Sequence, residues 1–216
     1  MNPPTALFRA LSLNRFRLFK IFLFLACLIP AGYLVWAFLA DRLGANPFEA
    51  LTSESGEWTL RFLLLTLLMT PLRAILQQPW PLRLRRMLGL FTFFYAVFHL
   101  TTYLWLDQFF DWQEIGTDIL KRPFITAGML AFTLLVPLAL TSTRAMMRRL
   151  GRRWKPLHRS IYLIGILAVL HYLWLVKADL REPLIYAGLL TILLGYRAWQ
   201  YGRRRASLRM FPQTRY

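Results

Sequence analysis

Residues 87–106 read MLGLFTFFYAVFHLTTYLWL, a stretch with no charged side chain and one histidine, His99. A helix of this length on a soluble protein would need a polar face, and this stretch has none. About 20 mainly apolar residues are what a helix needs to cross the hydrocarbon core of a bilayer. The same pattern recurs along the chain. Residues 21–40 and 123–143 are free of charge. Residues 58–76 carry Arg61 and Arg73 near their ends, where long side chains can reach the headgroups. Residues 157–176 form a fifth run, and 183–201 a sixth with Arg197 in its last turn. Pro30 and Gly32 inside the first run are tolerated in a spanning helix. Asp41 and Arg42 follow that run directly, where a cleaved leader would show small residues, so it reads as an uncleaved helix. The expected fold is an all-α membrane protein, a bundle of six transmembrane helices.

The 216 residues are 57% hydrophobic and 17% charged, which fits one membrane domain without a separate soluble catalytic unit. The expected division is a basic amino-terminal segment (1–20), the bundle (21–201) and a basic tail (202–216). A net charge of +17 on a soluble chain would suggest a nucleic-acid partner. Here the basic residues alternate with the acidic ones across the runs. Arg9, Arg15, Arg17 and Lys20, then Arg73, Arg83, Arg85 and Arg86, then Arg144 to Arg159, then Arg197 and the tail arginines fall on one side. All ten acidic residues, from Asp41 to Glu182, fall on the other. Basic residues in short loops stay in the cytoplasm, so both termini are expected there, with no nucleic-acid role. The single cysteine, Cys27, excludes an internal disulfide and reads as a small buried hydrophobe. The loops are short and carry neither a phosphate-cradling glycine motif nor paired cysteines, and no internal repeat is apparent.

The chain has three histidines, His99, His158 and His171, each within or at the edge of a run. An ionisable group inside a bilayer is a functional candidate by default; the plainer alternative is a neutral imidazole bonded to a neighbouring helix. His99 and His171 fall roughly 10 Å and 8 Å below the same boundary at 1.5 Å per residue. Two imidazoles at one depth on different helices suit the axial ligation of a haem b. Zinc would usually require a third or fourth ligand, and no thiol or carboxylate shares that depth. His158 precedes His171 by about 19–20 Å of helix, at the inner rim, and points about 140° away on an ideal helix. A second haem stacked below the first would use it, given a local distortion near Gly165, but the facing position near Arg85 and Arg86 offers no histidine. The alternative is a rim residue bonded to a loop or headgroup. Aromatic residues such as Phe91, Tyr95, Phe98 and Tyr172 could form a haem slot, or face lipid and the interface.

Several blocks resemble the MsrQ (YedZ) family. They are Arg86-Met87-Leu88-Gly89-Leu90 leading to Tyr95 and His99, Lys121-Arg122-Pro123-Phe124-Ile125-Thr126, Thr141-Ser142-Thr143-Arg144, and Trp154-Lys155-Pro156-Leu157-His158-Arg159 continuing to Leu170-His171-Tyr172. The resemblance implies a ferric reductase-like transmembrane domain in the bacterial inner membrane, with no substrate chemistry of its own. It implies haem b ligation by His99 and His171, with His158 serving a second haem, and an association with FMN. It also implies a cytoplasmic flavin reductase or the quinol pool as donor. The implied acceptor is MsrP, a periplasmic molybdenum-containing reductase that repairs methionine sulfoxide in envelope proteins. Other readings that remain open are a quinol-linked cytochrome b for another periplasmic reductase, and a haem-free scaffold or transporter.

Overall fold

A computed structural model describes the backbone of residues 3–210 and the side chains of residues 14–203. Arg9 and the tail residues Arg204, Arg205, Arg209 and Arg215, expected on the inner face, have side chains outside the described residues. Among the described residues there is no strand. The first helix, α1 (Pro3–Leu39), runs unbroken from the basic amino-terminal segment through the first apolar run. It is followed by α2 (Pro47–Leu76) and α3 (Trp80–Thr102), which continues through a π-helical turn at Tyr103–Asp107. A short helix, α4 (Trp112–Lys121), leads into α5 (Pro123–Leu140). Then come α6 (Arg144–Leu150), a 3₁₀ turn, α7 (Trp154–Arg159), α8 (Ile161–Leu175) and α9 (Arg181–Met210).

Among the described residues, five segments are long and apolar enough to cross a membrane: Asn14–Leu39, Pro47–Leu76, Trp80–Asp107, Pro123–Leu140 and Arg144–Leu175. The chain is therefore a multi-pass membrane protein. α9 is not among the five. It is longer than the expected 183–201, but Arg197, Gln200 and Arg203 dilute its apolar content. α2 begins eleven residues before the expected start at 58. The reason is local: Asn46 caps the helix, its side chain accepting from the Glu49 N–H, and Pro47 opens the first turn. Arg61 does not snorkel to the headgroups, as its place near the end of a run suggested. Its Nη2 lies 2.5 Å from Glu57 Oε2 and its Nε donates to the Tyr186 hydroxyl at 2.9 Å.

Two clusters hold the bundle. In one, Leu63, Leu67, Leu135, Ile164 and Leu190 join α2, α5, α8 and α9. In the other, Phe62, Phe91 and Tyr95 pack α2 and α3 against α1, with the Phe62 and Tyr95 rings stacked at 5.0 Å. Tyr95 is fully buried. Its hydroxyl donates to the Cys27 carbonyl at 2.8 Å and accepts from the Ala31 N–H at 3.0 Å, bridging the α1 ladder next to Pro30. Lipid tails are as apolar as leucine, so these contacts hold through close packing and satisfied polar groups more than through exclusion of water. Phe22, Ile29 and Leu39 on α1 are more than half exposed, and a bilayer is the solvent that tolerates such a face.

Candidate functional site

α3 and α8 each carry one histidine near the C-terminal end, and each imidazole lies in a groove of the helix beside it. His99 Nδ1 lies 2.8 Å from the Thr52 carbonyl on α2. His171 Nδ1 lies 2.6 Å from the Phe124 carbonyl on α5. A carbonyl only accepts, so Nδ1 carries the proton in both rings and each Nε2 keeps its lone pair. One helical turn beyond each carbonyl stands a glycine. A Cβ on Gly56 would come within 3.0 Å of His99 Cε1, and one on Gly128 within 2.9 Å of His171 Nδ1. The glycines are what let the rings lie so close to α2 and α5.

The two rings face each other. Their centroids are 6.1 Å apart and their planes 76° apart. A metal–imidazole bond of about 2.0 Å, plus about 1.1 Å from the nitrogen to its ring centre, spaces two axial imidazoles by about 6.2 Å across one metal. Among the described residues there is no group of three or more His, Cys, Asp or Glu that could hold a metal ion. A pair with two nitrogen donors and nothing else fits a metal whose remaining positions are filled by a macrocycle.

The geometry repeats. Thr52, Gly56 and His99 recur 72 positions later as Phe124, Gly128 and His171, with the carbonyl and histidine 47 residues apart in each half. The sequence shows no such repeat because only three positions in each half are constrained, one of them by a backbone atom. Gly56, Gly128 and the two carbonyls were therefore missed. A glycine one turn along from a recurring backbone position was the only signal present.

His158 lies elsewhere. The distortion near Gly165 that a shared face with His171 would need is not there: Gly165 stays helical within α8 and packs near Leu190, and the helix is interrupted instead at Ser160, between α7 and α8. His158 Nε2 lies 3.0 Å from Thr141 Oγ1. That hydroxyl donates to the Pro137 carbonyl at 2.6 Å, so it accepts from the imidazole. Trp154 stacks on the imidazole at 4.0 Å. His158 lines a cavity of about 990 Å³ at the opposite end of the bundle, together with Arg85, Arg86 and Arg159.

Most of the aromatic residues read as a haem slot do other work. Phe91 and Tyr95 pack against α1, and Phe94 and Trp174 are exposed on the outside of the bundle. Tyr172 joins a polar network beside the pair. Its hydroxyl lies 3.0 Å from Glu182 Oε2 and 3.3 Å from Glu57 Oε1.

Fold and site together define a multi-pass helical membrane protein built around one facing histidine pair. Residues 55–169 match the model of the ferric reductase like transmembrane component. The chain is 55% identical over 195 residues, 90% of its length and 94% of the other's, to the protein-methionine-sulfoxide reductase heme-binding subunit MsrQ of Rhodospirillum rubrum. It is 52% identical over 189 residues (85% and 87%) to the protein of that name from Herminiimonas arsenicoxydans. With that from Azospira oryzae it shares 57% over 180 residues (82% and 77%). No solved structure matches. The chain belongs to the MsrQ family, within the ferric reductase-like transmembrane proteins.

Proposed function

We propose that this protein is a haem b electron-transfer subunit that carries electrons across the bacterial inner membrane to a periplasmic methionine sulfoxide reductase. The single observation that carries the proposal is the His99–His171 pair, 6.1 Å between ring centres with both Nδ1 atoms tied to backbone carbonyls. A haem iron held there supplies a one-electron couple. The protein's part is to fix the ligands. Each carbonyl sets the tautomer and aims Nε2, as outer partners of metal-bound histidines do. Gly56 and Gly128 set the distance of the rings from α2 and α5. The relatives' printed name, heme-binding subunit, supports the same cofactor.

The proposed topology has six spans, with α9 as the sixth and both termini in the cytoplasm, because the arginine-rich segments 83–86 and 144–159 and the basic terminal segments all fall on one side in that arrangement. The donor in this reading is a cytoplasmic flavin reductase or the quinol pool, and the acceptor is the molybdenum-containing MsrP. The outer helix α4 is where the acceptor meets the bundle, since Trp112 there is exposed and Glu114 lies in the first turn. Asp111 is not a clean probe of that contact, because its carboxylate caps α4 by accepting from the Gln113 and Glu114 N–H groups. Glu114→Lys is expected to slow electron delivery to the acceptor while leaving the haem spectrum unchanged. Unchanged delivery would remove α4 from the contact.

The test of the whole reading is a reduced-minus-oxidised visible spectrum of the purified protein, with haem per chain quantified. A low-spin b-type signal is expected. A colourless protein from cells with ample haem would sink the electron-transfer reading in favour of a scaffold or transporter. The inner cavity with His158 is the place for a second haem in the same reading, and its ligation through Nε2 would require His158 to release Thr141. A stoichiometry of two haems per chain would support that site, and one would remove it.

A further inference from the structure

Among the described residues Asp118, on α4, is the one charged side chain that is buried, 2% exposed. A buried carboxylate needs partners in place of water, and both oxygens of Asp118 have them. Oδ1 lies 2.9 Å from Arg122 Nε. Oδ2 accepts from the Tyr103 hydroxyl and from Gln108 Nε2, each at 3.3 Å. These partners belong to different parts of the bundle. Tyr103 opens the π-helical turn, one helical turn beyond His99, and its N–H and the Thr102 hydroxyl both donate to the His99 carbonyl. Such π-helical turns are frequent at functional sites. Arg122 immediately precedes α5. Two residues on is Phe124, whose carbonyl holds His171 Nδ1. The Arg122 carbonyl accepts from the Ile125 and Thr126 N–H groups, and the Thr126 hydroxyl donates to the Ile119 carbonyl of α4. Between Gln108 and α4 come Phe109 and Phe110, with φ of 46° and 60°. Two bulky residues in succession with left-handed backbone are kept only where the surroundings fix them, and Asp118 holds the residue before them.

α3 packs on α2, and α5 packs on α8, so each histidine belongs to its own pair of helices. Asp118 binds the end of α3 and the start of α5, and so reaches both pairs. We infer that Asp118 is a positioning residue for the two histidines: through Tyr103 it sets where α3 presents His99, and through Arg122 it sets where the Phe124 carbonyl holds His171. Its effect on a haem rests on the reading of the pair given above; its effect on the two rings does not.

The full chain is produced with isotopically labelled histidine, purified in a mild detergent and reduced with dithionite. Nitrogen NMR of the three imidazoles, assigned by removing each histidine in turn, is recorded together with haem per chain. The variants are Tyr103→Phe, Arg122→Gln, Asp118→Ala and Asp118→Asn. Asp111→Ala, which removes the cap of α4 and leaves Asp118 in place, is the control. Tyr103→Phe is expected to shift the His99 signals, Arg122→Gln those of His171, and Asp118→Ala both, with His158 unmoved throughout. Asp118→Asn keeps an acceptor for Tyr103 but loses the charge facing Arg122, so it should move His171 more than His99. Haem per chain in Asp118→Ala is expected to fall about tenfold, the low end of the range for outer partners of metal-bound histidines, and to stay at the wild-type value in Asp111→Ala. If Asp118→Ala does not accumulate, Tyr103→Phe and Arg122→Gln carry the same division between the rings. Unmoved His99 and His171 signals in a folded Asp118→Ala would overturn the proposal. So would equal movement of all three histidines, which would show Asp118 to be only a brace for the fold. The same pattern in Asp111→Ala would overturn it too, since any loosening of α4 would then suffice. A colourless wild type whose imidazole signals still divide in this way would end the haem reading and leave the positioning role standing.

Discussion

At the end of the bundle that the proposed topology makes the outer one, two histidines are held by Nδ1, each to a backbone carbonyl of a neighbouring helix. At the opposite end, the inner one in that topology, one histidine is held by Nε2, to a threonine hydroxyl, with an indole against its face. The chemical identity of the side chain is the same, yet the free nitrogen differs. The outer rings keep Nε2 free of the carbonyls that hold Nδ1, and a backbone carbonyl cannot be lost by mutation of a side chain. The inner ring has given that nitrogen to Thr141, a partner that one substitution removes. The surroundings differ as well. The outer pair has glycines pressed against it, whereas the inner ring faces a cavity with arginines on its walls.

The largest effect tests whether the outer pair works as a unit. His99→Ala and His171→Ala are each expected to abolish the low-spin b-type signal, since either leaves the iron with one axial ligand. His158→Ala should leave that signal in place. Equal loss in all three variants would erase the distinction between the two ends.

Much of this distinction was legible in the sequence. Charge-free runs such as 87–106 give the spans because a bilayer cannot satisfy an exposed backbone, and the helical rise gives the shared depth of His99 and His171. The start of α2 was not read correctly, since an Asn-Pro cap extends a helix into a segment whose Glu49, Glu54 and Glu57 resemble a loop. The role of Arg61 was also missed, because its partners Glu57 and Tyr186 come from one turn away and from a distant helix. The roles of the histidine nitrogens were out of reach altogether. They depend on carbonyls of Thr52 and Phe124, and a carbonyl has no residue type. The 72-residue recurrence became visible only once those carbonyls were located.

A smaller effect sharpens the account of how the outer rings are aimed. Gly128→Ala would place a methyl 2.9 Å from His171 Nδ1, and Gly56→Ala one 3.0 Å from His99 Cε1. In each case the ring must shift, stretching its bond to the carbonyl one turn away. Haem per chain is expected to fall about 10- to 100-fold, the range seen when outer partners of a metal-bound histidine are lost, and Gly128→Ala more than Gly56→Ala. Haem content and the position of the low-spin band would check it. Wild-type values in both variants would mean that the rings have room to move and that the glycines do not position them.

The smallest effect concerns the inner end and decides what holds His158. Thr141→Val removes the hydroxyl that accepts from His158 Nε2 while leaving the Thr141 carbonyl, which accepts from Trp154 Nε1 at 3.0 Å. If His158 is a rim residue, the variant loses one hydrogen bond, about 1 kcal/mol, and melts a few degrees lower with haem per chain unchanged. If His158 serves an inner haem, the threonine competes with iron for the same nitrogen, and its removal raises haem occupancy or shifts the second component of the spectrum. The geometry favours the first outcome, because Nε2 is bonded and Trp154 covers the ring. A rise in haem per chain in Thr141→Val, lost again in the double variant with His158→Ala, would reverse that conclusion and make the two ends of the bundle alike in function despite their opposite hydrogen bonding.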